Sequence, residues 1–268
     1  MKNTRSIILI VLFIGSIVPT FLGLFEKKQI VKVPNNESYD SRLNGLDDIS
    51  KLSKFIDSVS ASKKITNSDT LAFVTNANEV VRQRFHYGFS NYTVQNNWPA
   101  FFGGKLIWSH LSAIVDADDI LKHTEGLCSQ QTIIFLELLK TKGITFRSIG
   151  LGLKEGPGHF LCEAYYNGDW HMYDITMEPN WSAITNAHKS IEYYKSNKDS
   201  LFLVYENKIP SAVLNKMLNE INYGEVNTMP AQHMLLFHNI CKALIYFIPL
   251  LLLWLIVKNL RRTASQKR

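Results

Sequence analysis

The sequence predicts an α+β protein in which one helix packs against an antiparallel sheet, flanked by two transmembrane helices. Two observations predict the core: a helix with Cys128 at its start, and a hairpin around Asn167-Gly168. A third observation predicts the membrane helices, because uncharged apolar runs lie near both ends of the chain.

The first core element is a helix that begins at or next to Cys128. The apolar run 133–139 follows the cysteine, and Lys140, Lys142 and Gly143 supply the basic last turn and the glycine with which many helices end. Unpaired backbone N–H groups and the positive end of the helix dipole favour a thiolate over a thiol at a helix N-terminus. The sequence therefore predicts an activated cysteine at position 128.

The second core element is a hairpin of two strands, residues 159–166 and 169–176. Asn-Gly between aromatic and β-branched runs is a strong hairpin signal. In a two-residue loop Tyr166 pairs with Asp169, and side-chain alternation then makes His159 and Asp174 diagonal neighbours on one face. A loop longer by one residue would place them on opposite faces. In the predicted register His159 can serve as the general base for the cysteine, with Asp174 orienting the imidazole.

Together these motifs resemble the core of the transglutaminase-like superfamily, a branch of the papain-like cysteine enzymes. The resemblance covers residues 70–180 and rests on Gly126-x-Cys128, Gly143-Ile144, the run Phe146-Arg147-Ser148-Ile149-Gly150, Gly158-His159-Phe160 with Glu163-Ala164-Tyr165, and Trp170 with Tyr173-Asp174-Ile175-Thr176. Phe160 follows the histidine directly, whereas many members place an aromatic residue at a slightly different spacing, which leaves substrate preference open.

The resemblance implies a membrane-anchored bacterial enzyme with a papain-like core. Cys128 would be its nucleophile, His159 its general base and acid, and Asp174 the residue that holds the imidazole. The implied reaction is acyl transfer on a peptide or protein amide substrate, by hydrolysis or by transamidation, without a cofactor or a metal.

The first predicted membrane helix is residues 6–25, which contain no ionisable group over twenty positions. That is roughly the length needed to cross a bilayer. A cleaved signal peptide is the alternative, although no Ala-x-Ala site follows.

The second predicted membrane helix has an uncharged stretch of fifteen residues, 243–257, and extends back to Phe237 if Lys242 snorkels to the interface. A buried core helix is the alternative. Five basic residues follow this stretch: Lys258, Arg261, Arg262, Lys267 and Arg268. Such a cluster predicts that both termini are cytoplasmic, in a cell (inner) membrane, with the core on the outer side.

The predicted segments are a membrane anchor (1–25), a linker and helix (26–69), the core (70–180), a peripheral segment (181–236), the second membrane helix (237–257) and a basic tail (258–268). Apolar spacing predicts helices within 47–64 and 69–87, and shorter ones within 190–197 and 210–222. Residues 88–125 are predicted to be an aromatic, loop-rich stretch that forms either a cleft wall or ordinary packing.

The formal net charge is +6, but its distribution does not predict a nucleic-acid partner. Seven basic residues lie in the two terminal tails, and subtracting them from +6 leaves −1 for the rest of the chain. The expected partners are instead the lipid bilayer and envelope or secreted amide substrates, with envelope or exopolysaccharide machinery also open. A catalytically silent scaffold in such an assembly system is the alternative function.

Several alternatives concern individual site residues. A disulfide between Cys128 and Cys162 competes with a thiol nucleophile, and His123 is a second candidate base. Glu163 either tunes His159 or is a surface strand residue. The sequence contains no Cys-x-x-Cys pair, so it does not predict a zinc site. For an oxyanion, the backbone N–H of Cys128 is the first expected donor, and the other candidate donors are Gln130, Gln131, Trp98 and Trp108.

Overall fold

A computed structural model describes residues 2–23, 38–62, 69–152, 158–177, 179–185, 187–206 and 208–265. The chain forms two compact units. Unit 1 comprises Met1–Lys32, Asn91–Ile114 and Ala231–Arg268, and unit 2 comprises Val33–Ser90 and Val115–Pro230. This division differs from the predicted segments, because residues 91–114 group with the terminal helices and residues 181–230 group with the core.

The helices are α1 (Lys2–Gly23), α2 (Ile49–Ser62), α3 (Asp69–Arg84), α4 (Val94–Leu106), α5 (Ala117–Ile120), α6 (Cys128–Thr141), α7 (Ile191–Ser196), α8 (Lys198–Val204), α9 (Ser211–Leu218) and α10 (Gln232–Ser265). The strands are β1 (His86–Tyr87), β2 (Glu125–Gly126), β3 (Thr145–Leu151), β4 (His159–Tyr166), β5 (Asp169–Tyr173) and β6 (Ile221–Tyr223). Helices together with an antiparallel sheet confirm the α+β class.

The main sheet of unit 2 has the order β5-β4-β3-β6, and all its neighbours are antiparallel. Helix α6 packs on one face, where the ring of Phe135 lies 5.5 Å from that of Tyr173. Helices α7 to α9 cover the other face. The core on that side is formed by Ile149, Leu151, Leu161, Met172, Ile191, Tyr194, Leu201, Val204, Tyr205, Ile209, Leu214, Met217 and Leu218. The sheet therefore lies between two helical layers.

The hairpin has the predicted register, with Tyr166 paired to Asp169. Asn167 (φ 52°) and Gly168 (φ 82°) both adopt positive φ, which a two-residue turn of this kind requires. Strand β5 ends at Tyr173, earlier than predicted. Oδ1 of Asp174 accepts a hydrogen bond from the backbone N–H of Met177 at 3.0 Å, and this local bond replaces the strand by a turn.

The helix predicted to begin at or next to Cys128 is confirmed as α6, which begins at that residue. At its far end Gly143 has φ 65°, and the N–H of Ile144 donates to the carbonyl of Leu139 at 3.0 Å, closing the helix with a left-handed cap. The predicted helices before the core are confirmed as α2 and α3, and the later short helices as α7 and α9. Helix α8 was not predicted.

The expectation that residues 88–125 are loop-rich is wrong for α4. This helix kinks at Asn97 (φ −156°, ψ 73°), contains Pro99, and ends after the pair Gly103-Gly104. These three features hide helical periodicity in the sequence. In the structure, Oδ1 of Asn96 accepts from the N–H of Thr93 at 2.7 Å and caps the helix start.

Unit 1 contains α1, α4 and α10. Helices α1 and α10 run antiparallel, since Nδ2 of Asn259 donates to Oγ of Ser6 at 2.8 Å while the second half of α1 lies beside the middle of α10. Among the described residues, α10 alone is long and apolar enough to cross a membrane, and α1 contains the shorter apolar stretch Ser6–Pro19. Residues 24 and 25 of the first predicted span, and Lys267 and Arg268 of the basic tail, lie outside the described residues.

Candidate active site

Cys128 is the first residue of α6 and is half-buried. The preceding strand β2 pairs in parallel with β1, which sets Gly126 opposite Tyr87. As the first residue of the helix, Cys128 has a backbone N–H without an intrahelical acceptor. The thiol, the free end of the helix dipole and this N–H therefore meet at one point, as the sequence predicted.

The side chain of Gln130 fixes the start of α6. Its Oε1 accepts from the N–H of Leu127 at 3.2 Å and from the N–H of Ser90 at 3.0 Å, and its Nε2 donates to the carbonyl of Ser90 at 2.8 Å. Nε2 of Gln131 donates to the carbonyl of Gly126 at 2.8 Å. Both amides therefore hold backbone in place, and neither serves as the oxyanion donor considered from the sequence.

Arg84, at the end of α3, is fully buried and fixes the loop before the cysteine. Its guanidinium donates to the carbonyls of Leu121 at 2.5 Å, His123 at 3.0 Å and Leu46 at 3.3 Å. Burial lowers the pKa of Arg84 to about 10, against the raising effect of the charges of Tyr39 and Asp47. A buried cation bonded to backbone oxygens holds this loop in one conformation.

His159 and Asp174 meet as the hairpin register predicted. Nε2 of His159 lies 2.6 Å from Oδ2 of Asp174, and both side chains are buried. The same Oδ2 accepts a hydrogen bond from the hydroxyl of Tyr205 at 2.5 Å, and Oδ1 accepts the Met177 N–H. Every oxygen of this carboxylate is thus occupied, so Asp174 fixes the plane of the imidazole.

The side chains of Cys128 and His159 interact, because each shifts the pKa of the other through its charge and a hydrogen-bonding contribution. Nε2 of the imidazole is engaged with Asp174, which leaves Nδ1 as the ring nitrogen for the sulfur. The structure therefore brings together all three residues predicted for the site, in the order thiol, imidazole, carboxylate. His159, and not the alternative base His123, provides the imidazole at the sulfur.

Electrostatics in this site favour an ion pair between sulfur and imidazole. Burial raises the pKa of the Cys128 thiol, but His159 and the backbone N–H groups of Phe160 and Ser129 outweigh it, and the net shift is downward. Burial lowers the pKa of His159, but the charge and hydrogen bond of Asp174, together with Cys128, raise it overall. Burial likewise raises the pKa of Asp174, while His159, Tyr205 and the Met177 N–H lower it more. All three shifts favour thiolate, imidazolium and carboxylate.

Two residues near the site were not predicted. Tyr205 follows α8, in the segment that the sequence analysis regarded as peripheral, and no local motif marks it. Tyr87 is half-exposed on β1, and its pKa is raised by burial and by the negative charge of Cys128, which places its hydroxyl in the electrostatic reach of the sulfur. The pairing of β1 with the strand before the cysteine brings Tyr87 there.

Glu163 is neither a surface residue nor a partner of His159. It is fully buried, its Oε2 lies 2.5 Å from Nη2 of Arg147, and its Oε1 accepts the backbone N–H of Ile191 at 2.6 Å. The guanidinium of Arg147 in turn lies over the rings of Trp170 and Tyr223, at 4.4 and 4.6 Å. This pair joins the sheet to the start of α7.

The remaining cysteines and tryptophans lie elsewhere. Cys128, Cys162 and Cys241 are all free thiols, so the alternative disulfide is not formed. Cys162 is completely buried, as expected for the face of β4 opposite His159. Trp98 and Trp108, considered as oxyanion donors, belong to unit 1. In the described part of the chain, no three His, Cys, Asp or Glu side chains cluster as metal ligands would.

Comparison of the chain with protein-family models, with curated proteins and with solved structures gives no match in any of the three.

Proposed function

We propose that this chain is a membrane-anchored, transglutaminase-like cysteine enzyme that transfers acyl groups from peptide or protein amides. The observation that carries the proposal is the arrangement of Cys128, His159 and Asp174 at the start of a helix packed on an antiparallel sheet. A thiol at the free end of a helix dipole, bonded to an imidazole that a carboxylate orients, is what nucleophilic catalysis by cysteine requires.

In the proposed reaction the thiolate of Cys128 attacks the carbonyl carbon of the amide. The carbon–nitrogen bond breaks as the His159 imidazolium gives its proton to the leaving amine, and a thioester remains on the sulfur. Water then attacks the thioester and yields an acid, or a second amine attacks it and yields a new amide. In either case His159 accepts the proton of the attacking group, and the thiolate leaves. The backbone N–H of Cys128 supports the negative oxygen of each tetrahedral intermediate.

The proposed location is the cell (inner) membrane, with α1 and α10 as two spans and unit 2 on the outer side. The antiparallel packing of α1 on α10 supports this topology, because it brings the start of α1 to the end of α10. The basic residues Lys258, Arg261 and Arg262 at that end favour the cytoplasm. Substrates would then be envelope or secreted amides, such as cell-wall peptides or surface proteins.

The test is labelling of intact cells with a membrane-impermeant iodoacetamide probe between about pH 5 and 9, a range chosen around the ordinary thiol pKa. Wild type is compared with Cys128→Ala and His159→Ala. We expect rapid labelling at low pH that disappears in Cys128→Ala and slows in His159→Ala. Cys162 is retained in every variant and, being buried, is the internal control for background labelling.

Two outcomes would contradict the proposal. Labelling only after the membrane is permeabilised would place the site on the cytoplasmic side. Labelling of Cys128 with the pH dependence of an ordinary thiol, unchanged in His159→Ala, would remove the activated nucleophile and favour the catalytically silent scaffold.

A further inference from the structure

The end of α4 and the two residues that follow it expose a cluster of apolar side chains. We call residues 94–112, which are α4 and the 3-10 helix Ser109–Ser112, the α4 hairpin. At its tip the exposed fraction is 80% for Leu106, 81% for Ile107 and 55% for Trp108, and Phe102 beside them is 45% exposed. An aqueous protein surface rarely presents such a run. We propose that the tip of the α4 hairpin inserts into the lipid interface of the membrane that α10 crosses.

Contacts within unit 1 fix the position of the hairpin along α10. The carbonyl of Leu111 lies 3.0 Å from Nε2 of His238, and the ring of Tyr92 lies 4.8 Å from the His238 ring. A Cβ atom on Gly103 would lie 3.5 Å from the ring of Phe237. Both α10 residues precede the uncharged stretch 243–257 by one to two helical turns. The hairpin therefore lies beside the end of this stretch, at the depth of a membrane interface.

The hairpin also covers a polar group where α10 would enter the lipid. His238 is completely buried, and the Leu111 carbonyl is one of its partners. Residues 243–257 alone give about 22 Å at 1.5 Å per residue, whereas Phe237 to Val257 gives about 31 Å. The longer length applies when His238 is covered by the hairpin and the exposed Asn239 and partly exposed Lys242 reach the interface. The longer value matches the roughly 30 Å thickness of a bilayer core.

The two arms of the hairpin pack too closely for a side chain between them. A Cβ atom on Gly104 would lie 2.5 Å from Oγ of Ser112, and this hydroxyl is bonded to the carbonyl of Ser109 at 3.0 Å.

Lys105 stands next to the apolar tip. At the other end of α10 the ammonium of Lys258 lies 4.6 Å from the centre of the Trp254 ring. Aromatic residues with a neighbouring lysine thus occur at both ends of the apolar surface, as at the two interfaces of a membrane protein.

The experiment measures the lipid exposure of a fluorescent probe on the full chain. The variant Ile107→Cys, with Cys128→Ser to remove the half-buried native thiol, is labelled with a nitrobenzoxadiazole dye and reconstituted into phosphatidylcholine vesicles. We expect blue-shifted emission and loss of emission with lipids that carry a nitroxide near the headgroup end of the acyl chain. Lipids with the nitroxide at the methyl end should quench less, since an interfacial element is buried only roughly 5–10 Å.

Two control positions, together with a second position at the tip, separate this proposal from the placement of α10. Leu253→Cys, exposed in the middle of α10, should be quenched by deep nitroxides, and His233→Cys, exposed at the helix start, should be quenched only by aqueous iodide. Leu106→Cys repeats the test at the tip. Quenching at Leu253 without quenching at Ile107 and Leu106 overturns the hairpin proposal and leaves the membrane helix in place. Absence of lipid quenching at Leu253, Ile107 and Leu106 together overturns the membrane placement itself. Protection of the tip from both lipid and iodide means that protein covers it, which also overturns the proposal.

Discussion

The hydroxyl of Tyr205 donates to the same carboxylate oxygen of Asp174 that holds Nε2 of His159. The two residues are 31 positions apart, and Tyr205 comes from the helical layer that covers the sheet. This bond makes the α7 to α9 layer part of the site, because it adds to the effect of His159 in keeping the pKa of Asp174 low.

Tyr205→Phe is expected to weaken the site without unfolding the protein. A hydrogen bond to a charged group contributes about 1.5–3 kcal/mol, and phenylalanine keeps the packing of the ring. Without this bond the pKa of Asp174 rises, its charge is lost at a higher pH, and the pKa of Cys128 rises in turn. The acid limb of Cys128 alkylation should therefore shift to higher pH in Tyr205→Phe. Tyr166→Phe, which removes a buried hydroxyl pair with Tyr173, is the control that should leave the profile unchanged. Equal profiles for wild type and Tyr205→Phe would contradict this role.

Asp174→Asn is expected to return the cysteine to ordinary reactivity. The charge of Asp174 raises the pKa of His159, and the imidazolium in turn lowers the pKa of Cys128. Without that charge the pKa of His159 falls, so the imidazole is neutral at a lower pH, and the pKa of Cys128 rises toward the ordinary value of a thiol. Iodoacetamide labelling of detergent-solubilised protein should then increase steeply with pH in Asp174→Asn and remain nearly flat in wild type. Asp169→Asn, at the exposed start of β5, the strand that Asp174 directly follows, provides the matched control. A flat profile in Asp174→Asn would show that the thiol is activated by other groups.

Glu163→Gln is expected to destabilise unit 2 strongly. Removing one partner of a buried ion pair costs about 3 kcal/mol or more, because the other charge is left without its partner. The matched control is Glu137→Gln, since Glu137 pairs with Lys140 at 3.0 Å on the surface of α6 and such pairs contribute at most about 1 kcal/mol. Thermal unfolding in detergent should show a large decrease in midpoint for Glu163→Gln and little change for Glu137→Gln. Similar midpoints for both variants would mean that the Arg147–Glu163 pair adds nothing to stability.

Gln130→Met is expected to loosen the start of α6. It leaves the N–H and carbonyl of Ser90 and the N–H of Leu127 without this amide, at a cost of about 2 kcal/mol. We expect both a lower unfolding midpoint and slower Cys128 alkylation. Gln131→Met, which removes the bond to the Gly126 carbonyl, should have the smaller effect on alkylation. If the two variants alkylate at the same rate, the Gln130 amide does not position the cysteine.

The parts of the site that sequence could predict are those with local causes. Asn167 and Gly168 accept positive φ, and this fixes the hairpin register that brings His159 to Asp174. Gly143 ends α6 for the same reason, so the run between Cys128 and Gly143 had to be one helix. In each case a few neighbouring residues determine the backbone.

The parts that could not be predicted depend on residues distant in sequence. Tyr205 reaches Asp174 only through the packing of α8 on the sheet, and α8 carries no motif. Glu163 was expected at the surface or beside His159 because a glutamate is rarely buried, but its cross-strand neighbour Arg147 compensates the charge. Helix α4 is interrupted by Asn97, Pro99 and two glycines, and packing within unit 1 outweighs its poor intrinsic propensity.

The bridge between Asn91 and Ala113 closes the base of residues 91–114, where the chain leaves unit 2 and returns to it. The N–H of Tyr92 donates to the carbonyl of Ser112 at 2.8 Å beside it, so the outgoing and returning chains run side by side. Residues 91–114 are therefore an inserted module with adjacent ends. A short linker between Ser90 and Val115 can replace the module, so residues 38–90 joined to 115–230 keep Cys128, His159 and Asp174 together without α1, α4 and α10.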